Sequence, residues 1–291
     1  MTNELQTEVF QQSGASLGEG PSWDDRTKSL TWVDITAGTV HVVNESSLEL
    51  HTFNIGSDVG AALPAAPGSW LLAAGDGLTI LRNDGTMEPL LSVLSDPSIR
   101  FNDAKCDPHG RAFIGTMAYS QQPGLASLFR LDGRASVETI FSGLTVSNGM
   151  AWSPAGDTFW FIDSATHSVS RFEFDPATGS VGRELSKIHI PAELGMPDGA
   201  CIDDDGCIWV ALWGGSAVHR YTPDGLLDSI IRFPVSQVTS CAIGGASNDV
   251  LFVTSARHGL SSDQLAAQPL AGSVFATAAN ITGRPVVPWV G

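Results

Sequence analysis

Basic residues are scarce in this chain. Fifteen Lys and Arg stand against 31 Asp and Glu, for a net charge of −16. Such a surface repels phosphate backbones and anionic headgroups, so neither nucleic acid nor a membrane surface is expected as a partner. The surplus suits a protein that holds a cation, and it equally suits plain solubility. Cysteine is sparse as well: Cys106, Cys201, Cys207 and Cys241 form no C-x-x-C pair and build no cysteine zinc site. Cys201 and Cys207 flank a turn and could be neighbours, but reduced thiols are expected. The seven histidines show no H-E-x-x-H and no pair at ligand spacing. No apolar run of about 18 residues is present, so no membrane span is expected. The first ten residues have no basic stretch followed by an apolar core, so no signal peptide is expected and the cytoplasm is the expected location. Long periodic runs of Ala, Glu, Lys and Leu are missing too, which argues against a helical protein.

What is present is a repeat. A turn followed by a short apolar strand recurs: Trp23-Asp24-Asp25 before Trp32-Val33-Asp34, Pro67-Gly68 before Trp70-Leu71-Leu72-Ala73, and Asp107-Pro108-His109-Gly110 before Ala112-Phe113-Ile114-Gly115. It continues with Ala155-Gly156-Asp157 before Phe159-Trp160-Phe161-Ile162, Asp204-Asp205-Gly206 before Ile208-Trp209-Val210-Ala211, and Asn248-Asp249 before Leu251-Phe252-Val253-Thr254. The strand centres are spaced by roughly 40 to 50 residues, the period of a propeller blade. Each is followed by a second hairpin, with turns at Asn44-Glu45, Asn83-Asp84-Gly85, Asp132-Gly133, Asp175-Pro176, Pro223-Asp224-Gly225 and near Asn280. Two hairpins per repeat make four antiparallel strands, and Asp-Gly-type turns suit them because they tolerate positive φ. The pattern predicts an all-β, six-bladed β-propeller occupying residues 1–291 as a single domain. Residues 8–12 close the ring by pairing into the blade built after Ser240, because an open ring leaves unpaired edges. A β-sandwich is the alternative that the regular period argues against. A closed ring needs no partner to bury its core, so a monomer is expected.

Four polar stretches lie at one position of the repeat, about ten residues ahead of the apolar strand: Leu17-Gly18-Glu19-Gly20-Pro21, Arg100-Phe101-Asn102-Asp103, Ser147-Asn148-Gly149-Met150 and Met196-Pro197-Asp198-Gly199. Read as loops at one end of a central channel, they bring together Glu19, Asn102, Asn148 and Asp198. Carboxylate and amide oxygens are hard ligands that suit Ca, Mg or Mn, with Zn less typical. Taken singly, Asn148-Gly149 and Asp198-Gly199 read as turns; their shared position favours a site. Arg100 beside Asn102 can bind hydroxyls or a carboxylate. Two other motifs are set aside. Gly14-Ala15-Ser16-Leu17-Gly18 fits G-x-S-x-G, but that motif needs a strand-to-helix elbow. Asp203-Asp204-Asp205-Gly206 has no Glu at the distance a calcium loop requires and reads as a hairpin turn.

These stretches resemble, in order, the regucalcin/gluconolactonase (senescence-marker-protein-like) family of sugar lactonases. Gly115-Thr116-Met117, Pro197-Asp198-Gly199 and the late Ala256-Arg257-His258-Gly259-Leu260 extend the match. The resemblance implies a six-bladed propeller with one divalent cation held by Glu19, Asn148 and Asp198. It implies Asp198 as general base, and Arg100 and Asn102 as substrate-binding groups. Positions 119 and 120, where relatives carry an acidic pair of which one member helps bind substrate, are Tyr119 and Ser120 here, so a different preference among lactones is expected. Residues 211–215, Ala-Leu-Trp-Gly-Gly, are more similar to bacterial pentonolactone hydrolases. The expected function is metal-dependent hydrolysis of a small-molecule sugar lactone to its aldonic acid. A non-catalytic calcium-binding regulatory propeller is the alternative, and a protein-interaction platform a third reading.

Overall fold

The computed structural model describes residues 7–134, 136–279 and 281–291. It is built from six four-stranded antiparallel sheets. The first contains β2 (Gly18–Asp24), β3 (Ser29–Asp34), β4 (Thr39–Asn44) and β5 (Leu50–Asn54). The second contains β6 (Val59–Pro64), β7 (Ser69–Ala74), β8 (Gly77–Arg82) and β9 (Met87–Ser92). The third contains β10 (Ile99–Cys106), β11 (Ala112–Ala118), β12 (Ala126–Asp132) and β13 (Ser136–Leu144). The fourth contains β14 (Ser147–Trp152), β15 (Thr158–Asp163), β16 (Ser168–Asp175) and β17 (Ser180–His189). The fifth contains β18 (Met196–Ile202), β19 (Ile208–Trp213), β20 (Ala217–Tyr221) and β21 (Leu227–Arg232). The sixth joins β22 (Val238–Gly244), β23 (Val250–Ser255) and β24 (Val274–Ala278) to the N-terminal β1 (Thr7–Gln11). The innermost strands β2, β6, β10, β14, β18 and β22 touch one another in a closed circuit, giving a six-bladed propeller.

The closing strand is the one expected. Thr7 pairs with Thr277 and Glu8 with Ala276, which gives the last blade its fourth, outermost strand and ties the first strand of the chain to the last blade. Of the expected turns, the one near Asn280 lies partly outside the described residues, as do the first six residues. The only α-helix among the described residues is α1 (Ser262–Ala267), closed at its start by a reciprocal Ser261–Gln264 capping box. No described helix is long and apolar enough to cross a membrane.

Burial follows position in the blade. The second strands are covered on both faces by neighbouring blades, so they read as continuous apolar runs; all of Ser69–Ala74 is buried. Outer strands face water, and Ser180–His189 is mostly exposed, with Arg183, Glu184 and Lys187 on it. The third and fourth blades share a packed aromatic group, in which the rings of Trp152 and Phe159 lie 4.9 Å apart.

One irregularity repeats around the ring. Every innermost strand breaks register with its neighbour at one place: Glu19/Ser22, Val59/Ala61, Phe101/Ala104, Ser147/Met150, Pro197/Ala200 and Val238/Ser240. A bulge of this kind turns extra side chains toward one face. The polar stretches read from sequence as loops therefore lie inside the inner strands. Their glycines serve close approach between blades rather than turning: a Cβ on Gly149 would lie 2.6 Å from the Asp198 carbonyl oxygen, and one on Gly199 would lie 2.0 Å from Ser240 Oγ.

The far end of the channel is covered by the C-terminal segment. Asp204 N–H donates to Thr282 O, Gly283 N–H to Asn248 O, Trp289 N–H to Pro64 O and Val290 N–H to Gly110 O. Residues 284–287 line the floor of a cavity of about 410 Å³ whose walls come from all six inner strands. The four cysteines are buried and free. Cys201 Sγ lies 3.5 Å from Cys241 Sγ, because their strands are neighbours on the channel wall. The Asp203-Asp204-Asp205-Gly206 stretch is a hairpin turn whose Asp203 carboxylate is taken up by Cys207 N–H, Trp209 Nε1 and Arg220 Nε.

Candidate active site

Two aspartates fix how the polar strands begin. Asp34, at the end of β3, accepts hydrogen bonds from Ser16 N–H (2.7 Å) and Leu17 N–H (3.0 Å), setting the start of β2 and with it Glu19. Asp163, at the end of β15, accepts from Thr145 N–H (3.1 Å) and Val146 N–H (2.9 Å), setting β14 and Asn148. The polar residue that ends these apolar strands thus holds the neighbouring inner strand in place.

Glu19, Arg100, Asn102, Asn148 and Asp198 are all buried, although four different blades supply them. A chain of hydrogen bonds links Arg100, Asn102 and Asn148, while among the described residues the Glu19 carboxylate accepts only from Gly20 N–H (3.0 Å). Arg100 Nη1 donates to Asn102 Oδ1 (2.9 Å) and to Phe101 O (2.8 Å). Asn102 Nδ2 donates to Asn148 Oδ1 (3.1 Å) and Ser147 O (3.0 Å). Asn148 Nδ2 donates to Ser164 Oγ (2.9 Å), which leaves its carbonyl oxygen directed back toward the group. The Asn148 amide also stands near Asp198 and favours its charged form. Tyr119 and Ser120 stand at the rim, both exposed.

The electrostatics are unbalanced. Burial, aided by the nearby Asp103 charge, raises Glu19 to about 8; the Gly20 N–H, Arg100 and Lys105 pull in the opposite direction. Burial also raises Asp198 well above the ordinary carboxylate range, with repulsion from Glu19 and Asp103 added. Asp103 is raised by burial and opposed by Lys105, and its Oδ2 has no hydrogen-bond partner. Sequence reading quoted Asp103 in its motif but gave it no role, and missed Lys105, whose Nζ donates to Ala200 O (2.5 Å). Both follow strand residues of obvious interest, and only the bulge turns Asp103 inward beside Asn102.

Among the described residues, no three or more His, Cys, Asp and Glu side chains are grouped at metal-ligand spacing. The donor set here is of another kind, two carboxylates with an amide oxygen. It suits a hard divalent cation: Glu19 and Asp198 are buried and close enough to repel each other, and Arg100 offsets this only in part.

Residues 17–257 match the family model described as "SMP-30/Gluconolactonase/LRE-like region". Regucalcin of Gallus gallus is 35% identical over 94% of this chain and 95% of its own length. The candidate sugar lactone lactonase YvrE of Bacillus subtilis is 32% identical over 95% of this chain and 96% of its own. Among solved structures, a calcium-binding protein, regucalcin, from Agrobacterium tumefaciens superposes with a TM-score of 0.95 at 28% identity, covering 99% of this chain and 98% of that one. A gluconolactonase from Xanthomonas campestris shares the fold, with a TM-score of 0.76 at 18% identity over 95% and 90% of the two chains.

Proposed function

Because the chain belongs to the SMP-30/gluconolactonase/LRE-like family, we propose that it hydrolyses a sugar lactone to the aldonic acid with the help of one divalent cation. The observation that carries this reading is that Glu19 and Asp198, from different blades, are both buried and repel each other, with the Asn148 amide acting on Asp198. Those three residues would hold the ion, whether Ca, Mn, Mg or Zn. When bound, it supplies Lewis-acid polarisation of the ester carbonyl.

The remaining roles belong to the chain. Asp198 takes a proton from the water that attacks the carbonyl carbon; a carboxylate raised by its surroundings is a stronger base once ionised. The ring C–O bond breaks, and the departing ring oxygen takes up the proton that Asp198 removed from the water, becoming a hydroxyl and restoring the carboxylate. Arg100 and Asn102 bind the sugar, with Arg100 held in position by Phe101 O and Asn102 Oδ1. Tyr119 and Ser120 meet the substrate at the rim.

The test is acid release from a panel of sugar lactones with several divalent ions and with chelator. The proposal expects turnover with an ion and little without it. Steady binding of calcium with no lactone opened would favour the alternative, a regulatory calcium-binding propeller. The similarity to the calcium-binding regucalcin of Agrobacterium tumefaciens supports that second reading.

A further inference from the structure

At the rim of the channel, the second blade places a carboxylate beside the third. Asp58, in the connection leading into β6, accepts a hydrogen bond from Tyr119 OH at 2.9 Å, across 61 residues of chain. Both backbones are tied down. Asp58 C=O accepts from Gly75 N–H (2.9 Å), and Tyr119 N–H donates to Ser98 O (2.9 Å). Asp58 is half-buried while the Tyr119 side of the contact is open, 56% exposed, so the pair is reachable from solvent.

Asp58 also faces Arg100. Of the charges that offset the burial of that guanidinium, Asp58 is the largest, ahead of Glu19 and Asp198. The two form no direct ion pair, and Arg100 Nη1 is already committed to Phe101 O and Asn102 Oδ1. A charged acceptor, with Oδ1 not used by Tyr119, therefore stands across a gap from a charged donor with nitrogens to spare. A hydroxyl fits such a gap, since it donates to the carboxylate while accepting from the guanidinium. Neighbouring hydroxyls on one ring can engage both at once. The exposed Tyr119 ring, pinned by its own hydroxyl, offers a flat apolar surface to the ring carbons.

We propose that Asp58, with Tyr119 and Arg100, forms a hydroxyl-recognition subsite that selects polyhydroxylated lactones over unsubstituted ones. This rests on the lactonase reading above and adds a residue from a different blade to it. The discriminating partner is the ring hydroxyl, not the ester, so Asp58 acts on binding and not on the reacting carbonyl.

The experiment compares δ-gluconolactone with δ-valerolactone, and γ-xylonolactone with γ-butyrolactone, using the ring size that the wild-type protein opens faster. Losing a hydrogen bond to a charged group is worth about a tenfold or larger effect. Asp58→Asn is thus expected to lower the ratio of kcat/KM for hydroxylated over unsubstituted lactone about tenfold, chiefly through KM. Tyr119→Phe, at an exposed position that tolerates substitution, is expected to lower the same ratio about threefold by loosening the carboxylate. Thermal midpoints of both variants are read alongside. If both lactones lose equally, or the ratio does not move in either variant, the subsite is wrong while the lactonase reading stands. If the wild-type protein opens no lactone of either kind, the lactonase reading fails and the subsite falls with it.

Discussion

The two ends of the channel are made from the same six strands and are built on opposite principles. At the mouth, the first residues of β2, β10, β14 and β18 carry Glu19, Arg100, Asn102, Asn148 and Asp198, buried with charges unmet. At the far end, the same strands run into small and apolar residues, and the C-terminal segment satisfies the backbone, with Trp289 packed among Leu63, Cys106 and Ala112. One end is electrostatically strained and the other closes the core. Natural proteins concentrate such local conflict where they act and offset it elsewhere.

Substitutions at the two ends should therefore separate activity from stability. The largest effect is expected at the mouth: Asp198→Asn should lower lactone turnover about 10²- to 10⁴-fold. In chelator the same variant should melt no lower than wild type, since it removes a buried charge that repels Glu19. Calorimetry alongside the rate assay checks both halves. At the far end, Trp289→Ala should cost about 3 to 5 kcal/mol by denaturant titration. Activity per folded molecule should stay near wild type, and a large loss in kcat would break the division drawn here.

Between the two lies Gly149, where an added methyl meets the Asp198 backbone oxygen at 2.6 Å and Ala200 N at 2.9 Å. Gly149→Ala should destabilise by about 1 to 3 kcal/mol and weaken cation binding together, because it pushes β18 away. A smaller effect is expected from pH. Glu19 binds its proton more tightly in the fold than in the unfolded chain, so its contribution is fully present below 4.5 and is lost as pH rises toward about 8. In chelator, melting temperature should decline over that window. Stabilisation by added calcium should grow over it, as the ion competes with the proton. The smallest effect belongs to Ser120, exposed at the rim and bonded only to the nearby Gln122 N–H. Ser120→Ala should lower kcat/KM about two- to threefold, as for the loss of one exposed neutral hydrogen bond to substrate, and leave the melting temperature near wild type.

The blades were readable in the sequence because double-sided burial forces continuous apolar strands such as Phe159-Trp160-Phe161-Ile162, and because turn chemistry marks the ends of each hairpin. The candidate site was readable in part, since Glu19, Asn102, Asn148 and Asp198 recur at one place in the repeat. Their setting was not. Asn148-Gly149 and Asp198-Gly199 carry the signal of a turn, yet they sit in strands, because the need for glycine arises from a neighbouring blade that the local sequence does not contain. Asp58 was invisible for a similar reason. Gly56-Ser57-Asp58 resembles any polar connection, and its meaning depends on Tyr119 in the next blade. The resemblance to a family, rather than periodicity, brought the metal and catalytic roles to particular residues.

The pairing of β1 with β24 has a further consequence during synthesis. Strand β1 leaves the ribosome long before its partner β24 does, so it waits unpaired while the intervening blades assemble. Contacts this distant along the chain slow the final step of folding. Until they form, the nascent protein offers an open edge for β-pairing with other chains.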